Sequence, residues 1–144
     1  MSPDQIFQIT SQLVLPGWLL LLFASNWKWT SRIVIGIVVT ILSAMYAFFV
    51  FQAINLSELS NFGSLQGVME LFTDPLSVTV GWIHYLAFDL LVGWLIVFDA
   101  RREGINRWLL IPCLFFTFML GPVGFLLYML LRLLLKKKYF IAFN

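Results

Sequence analysis

Two ionisable side chains stand inside one long apolar run, and they are the first candidates for chemistry. The run reads Gly81-Trp82-Ile83-His84-Tyr85-Leu86-Ala87-Phe88-Asp89-Leu90-Leu91-Val92-Gly93-Trp94. An imidazole and a carboxyl are the usual partners in general acid and base catalysis. Read as a helix, the run separates His84 from Asp89 by about 7–8 Å along the axis and turns them about 140° apart. They do not share a face, so they can only border one pocket from different sides. Asp99 follows roughly 15 Å beyond Asp89, in the segment Asp99-Ala100-Arg101-Arg102-Glu103-Gly104. That segment reads as a charged helix end capped by Gly104, with arginines against lipid phosphates; the other reading gives Arg101 or Arg102 a ligand. Later in the chain, Pro122 has no N–H to donate, which frees the carbonyl of Phe118 at about the depth of Asp89. A neutral Asp89 donating to it would act as interhelical glue, worth about 0.6–2 kcal/mol. The alternative is a ligand-binding or catalytic carboxyl.

Those residues need a membrane to sit in. Of 144 residues, 61% are hydrophobic and 11% charged, where a soluble domain carries about 25% charged. A soluble fold of this size could not hide so much apolar surface, so lipid is the expected solvent. Four stretches meet the requirement of about 20 mostly apolar residues, at residues 6–24, 33–54, 75–98 and 108–131. The expected fold is therefore all-α, an integral membrane bundle of four transmembrane helices in one domain spanning residues 1–144. Asp74-Pro75 supplies an N-cap and a first-turn proline for the third span. Between the second and third spans, Leu65, Val68, Met69 and Phe72 recur at helical spacing and predict a short amphipathic helix in the interface; an ordinary loop with a helical turn is the competing reading.

Orientation follows from short-loop lysine and arginine. Lys28 and Arg32 mark the first loop and Arg101, Arg102 and Arg107 the third, whereas the second carries Glu58, Glu70 and Asp74. Loops one and three then face the cytoplasm or its plastid equivalent. Arg132 and Lys136-Lys137-Lys138 disagree, since one more crossing puts them on the opposite side. The break Gly121-Pro122-Val123-Gly124 permits a single kinked span, the simpler solution, or a re-entrant hairpin that returns the lysines.

Other chemistries are poorly served. There is one histidine and one cysteine, Cys113, so neither a metal site nor a disulfide framework is expected. The net charge of +2 is too small to argue for a nucleic-acid partner. No glycine-rich phosphate loop and no Ser-His-Asp order is present. Trp18, Trp27, Trp29, Trp82, Tyr85 and Trp108 read as an interfacial aromatic belt. The N-terminus lacks a basic n-region or transit-peptide bias, so nothing removable is expected.

The run from Gly81 to Gly93 resembles the central signature of the abscisic-acid-deficient-4-like family. Leu15-Pro16-Gly17-Trp18, Ser64-Leu65-Gln66-Gly67-Val68, Asp99-Ala100-Arg101-Arg102 and Gly121-Pro122-Val123-Gly124-Phe125-Leu126-Leu127-Tyr128 match it in order. The resemblance covers nearly the whole chain and points to a bacterial, cyanobacterial branch in an inner or thylakoid membrane. It implies a role in xanthophyll metabolism or binding, since the plant members are associated with neoxanthin synthesis. The implied reaction isomerises an epoxy-carotenoid to an allenic alcohol without a redox cofactor. Under that implication, Asp89 and His84 are the catalytic pair, with Trp82, Tyr85, Asp99, Arg101 and Pro122 in the ligand site. The rival reading is non-catalytic. It makes the chain an accessory subunit of a larger photosynthetic membrane complex, holding carotenoid or chlorophyll, with His84 as an axial ligand. A transporter or channel is served worst, because four spans with one buried acid offer little pathway.

Overall fold

The chain is all-helical among its described residues, and its charges are confined mostly to helix ends. The computed structural model describes residues 1–53, 62–137, 139 and 141. Ile54 of the second expected span, Glu58 of the second loop and Lys138 of the tail lie outside them. Helix α1, Pro3–Phe23, starts with a capping box: Gln5 N donates to the Ser2 hydroxyl, and Ser2 N donates to the Gln5 amide oxygen. Helix α2, Thr30–Ala53, contains one wide π turn at Val34–Val39. A seven-residue α3, Leu65–Leu71, is capped by Ser64. Helix α4, Pro75–Arg102, starts as expected, with Ser77 N donating to Asp74 at 2.8 Å and Pro75 in the first turn. It runs four residues past the expected 98. It ends in a Schellman motif in which Gly104 takes φ +62° and Ile105 N reaches Ala100 O at 2.8 Å.

Three helices, α1, α2 and α4, are long and apolar enough to cross a membrane. The expected fourth is not one helix. Helix α5, Arg107–Leu120 (its first turn a 3-10 helix), is followed at Gly121 by α6, Pro122–Lys136. Each arm is about 21–22 Å long, against about 42 Å for α4. Their register along α4 runs in opposite senses. Leu110 shares a cavity wall with Val97, and Phe118 meets Tyr85, so α5 descends antiparallel to α4. Gly121 lies against Asp89, Tyr128 meets Asp99 and Arg132 meets Glu103, so α6 climbs back parallel to it. The two arms form a hairpin whose tip reaches the middle of α4. Gly121 makes the reversal at φ +47°, ψ −97°, a region that excludes side chains. Gly124 lets the arms close, because a Cβ there would overlap Thr117 and the Cys113 carbonyl.

The hairpin resolves the charge conflict. Helices α1 and α4 run parallel, shown by the pairs Gly17–Leu90, Trp18–Gly93 and Ser25–Arg101. The loop after α1, the end of α4, the start of α5 and the end of α6 therefore share one end. Lys28, Arg32, Arg101, Arg102, Arg107, Lys136 and Lys137 gather there, while Asp4, Glu70 and Asp74 lie at the other. Arg32 stacks on Trp29 and Arg107 on Trp108, each at 4.8 Å, consistent with a belt at the basic end. Trp18, expected in that belt, is instead 4% exposed against Gly93.

The hairpin has a direct test. In a Cys113→Ser background, Asn26→Cys and Lys137→Cys are expected to react with an impermeant maleimide from the same side of the membrane, and Ser64→Cys from the opposite side. Labelling of position 137 together with position 64 would restore a single fourth span.

Candidate functional site

At the middle of α4, where the hairpin tip arrives, the chain buries a carboxyl. Asp89 is 8% exposed, and its Oδ2 has no hydrogen-bond partner among the described residues. A Cβ on Gly121 would stand 2.5 Å from its Oδ1, so the carboxyl rests directly on the glycine backbone. Tyr85 stands one turn away on the same helix. Its hydroxyl donates to Phe118 O at 3.4 Å. The carbonyl freed by Pro122 is thus answered by a phenol on α4, not by the acid. Pro122 itself is exposed at the first position of α6.

Gly121 has a clear sensitivity. Gly121→Ala combines a positive φ with a collision against Asp89. Strain of about 1–2 kcal/mol and overpacking of about 1–3 kcal/mol are expected to lower the unfolding free energy by about 2–5 kcal/mol. Unfolding in mixed micelles checks it; an unchanged midpoint would show that the tip does not press on Asp89.

A line of stacked rings leads from Tyr85 away from the tip. Tyr85 stacks on Trp82 at 5.3 Å and 27°, and Trp82 packs on Phe7 of α1 at 5.2 Å. The indole N–H of Trp82 donates to the Ser11 hydroxyl at 2.9 Å, which fixes the middle ring. Trp82 and Tyr85 are partly buried, and Phe7 is exposed. The hairpin meets this line at Tyr85, through Phe118, and turns back at Gly121. On the basic side of the tip, Leu15, Trp18, Leu22, Leu114 and Phe118 line a purely apolar groove of about 330 Å³ between α1 and α5.

His84 is not part of this arrangement. As its rotation around α4 predicts, it points outward, stacked on Phe88 at 4.5 Å and set against Tyr46 of α2 at 5.5 Å. Tyr85 stands one turn from Asp89 with Trp82 stacked beyond it, and His84 lies on another face. Asp99 and Arg101 lie at the basic end, apart from the tip. Arg101 donates to Ser25 O at 2.9 Å and borders a polar cavity with Arg107.

Asp99 is committed elsewhere, to a cluster that sequence reasoning missed. It is 2% exposed and pairs with Arg132, 1% exposed, through Nε–Oδ2 at 2.7 Å. Tyr128 donates to the same Oδ2, and Arg132 also reaches Glu103 at 3.5 Å. Arg132 sits four residues before Lys136 and reads in sequence as part of the basic tail. The available signal was its position inside the apolar run from Phe125 to Leu135, where a charge needs a partner.

A family model described as ABA DEFICIENT 4-like matches residues 5–128. No curated protein and no solved structure matches the chain.

Proposed function

The chain belongs to the ABA DEFICIENT 4-like family, and on that premise we propose that it binds and isomerises a carotenoid within the membrane, with Asp89 meeting the pigment's oxygen. The observation that carries this reading is the unpartnered Oδ2 of a buried carboxyl beside a lipid-accessible line of aromatic rings. A buried polar atom without a partner costs about 1–3 kcal/mol, and a ligand oxygen bound there relieves it. The exposed side of this line of rings, Phe7 above all, offers apolar surface along which a flat polyene packs well.

The chemistry proposed is the conversion of an epoxy-carotenoid to an allenic alcohol. Protonated Asp89 gives its proton to the epoxide oxygen as the C–O bond breaks. The resulting carboxylate takes a proton from the neighbouring polyene carbon, whose C–H electrons form the new double bond. One proton enters and one leaves, no electrons are transferred, and the acid is regenerated. Tyr85 orients the ring by hydrogen bonding, and the low-dielectric surroundings strengthen each polar contact. This assigns to one carboxyl the roles that sequence reasoning divided between Asp89 and His84. Helix α3 is proposed to lie in the interface, since Leu65, Met69 and Phe72 are 78%, 63% and 58% exposed on one face.

The test is a purified preparation in detergent, given an epoxy-carotenoid and followed by chromatography. Formation of an allenic isomer supports the proposal. Binding without turnover would reduce the chain to a carrier, and failure of both would end the carotenoid reading.

A further inference from the structure

On the side of α4 that Asp89 does not face, a cavity of about 240 Å³ opens between α2, α3 and α4. Among the described residues its wall is apolar except at three places: the His84 imidazole, the Tyr46 phenol and the Ser77 hydroxyl. No hydrogen bond joins any of these three groups to another described residue. Phe72 and Gly81 close the cavity between them; a Cβ on Gly81 would already stand 3.3 Å from the Phe72 ring. His84 lies about 13 Å along α4 from Pro75, which is deeper than the headgroups. A polar group at that depth needs a reason to be there.

The properties of the cavity narrow its occupant. Among the described residues no lysine or arginine lines it, so a phosphate or carboxylate headgroup meets no counter-charge from them. Pockets that enclose a whole small-molecule ligand run about 300–1,000 Å³, so this one takes an end of a longer molecule. The rest would follow Phe88, which lies under His84 and is 54% exposed, toward the middle of the membrane. The three polar groups can each donate, and each can accept, a hydrogen bond, which suits an alcohol or ring carbonyl.

We propose that this cavity is a second ligand site, taking the oxygen-bearing six-membered ring at one end of a membrane-dissolved isoprenoid. It rests on the carotenoid reading only for the isoprenoid class; its geometry is separate from Asp89. Imidazole, phenol and hydroxyl hold the ring oxygen while the tail remains in lipid.

His84 is the chain's one histidine, so its imidazole nitrogens give an isolated NMR reporter. In micelles, 3-hydroxy-β-ionone is expected to shift those resonances saturably. β-Ionone, which lacks the ring alcohol, is expected to bind about tenfold more weakly, the worth of one hydrogen bond. A short-chain benzoquinone forms the third arm. Displacement of the hydroxy-ionone by it would identify ring carbonyls as the preferred source of the oxygen, and no displacement would identify the ring alcohol. An Asp89→Asn variant is expected to keep the imidazole response, and His84→Phe, which preserves the stack on Phe88, to lose saturable binding read from the fragment's own signals. No saturable shift, or equal binding of β-ionone and its alcohol, would overturn the site. Either result leaves the Asp89 chemistry to its own assay.

Discussion

An Asp89→Asn variant is expected to convert epoxy-carotenoid about 10²–10⁴-fold more slowly than the parent protein, the usual worth of a positioned general acid or base. The amide has nearly the shape of the carboxyl, so the contact with Gly121 is kept. It can still donate a hydrogen bond to a ligand oxygen, so the pigment should stay bound and its Kd should change little. What it lacks is a transferable proton and, afterwards, a carboxylate to receive one. The expected signature is therefore a fall in kcat with a small change in KM. Full activity in Asp89→Asn would remove the carboxyl from the reaction. Asp89→Leu differs usefully, because it also removes the hydrogen bond to the ligand and should weaken binding.

Arg132→Met is expected to destabilise the protein by about 3–5 kcal/mol, the cost of leaving one member of a buried ion pair alone. Asp99 would keep Tyr128 as a donor but lose the guanidinium that neutralises it. The second change, Asp99→Leu, should recover part of that loss, since an apolar pair often equals a buried salt bridge, while the buried Tyr128 hydroxyl left without its acceptor retains a cost of about 1–3 kcal/mol. The effect should also reach the tip. Arg132 and Tyr128 tie α6 to α4 about 15 Å from Asp89, and loosening that arm releases Gly121 from the carboxyl. Turnover should fall in Arg132→Met and return in part in the double variant, alongside the unfolding midpoint in mixed micelles. Wild-type stability in the single variant would show that the pair does not hold the hairpin.

Much of the architecture is legible locally. Asp74-Pro75 and Gly104 bracket α4 because caps act within one turn of the chain. The 140° between His84 and Asp89 is a property of the helix repeat, and the structure keeps it, sending one side chain outward and burying the other. Trp82 and Tyr85 were harder to read. An aromatic residue near a span end looks the same whether it meets headgroups or stacks on a neighbouring helix, and only the contact with Phe7 and Ser11 of α1 separates the two.

By itself, the sequence determined that the chain is helical with stretches apolar enough to cross a membrane, where α4 begins, the Gly104 cap at its end, and which few polar groups lie inside apolar runs. Those are consequences of composition, period and capping, all short-range. Only the tertiary structure decided the path of the last segment. Gly121-Pro122 breaks a helix in either case, and a kink and a reversal differ little in local energy. The choice is carried by contacts across about 30 positions of sequence, where Arg132 finds Asp99 and Glu103 and Gly121 meets Asp89. A buried guanidinium without a carboxylate is far more costly than one with it, and it is the reversed path that brings the two together.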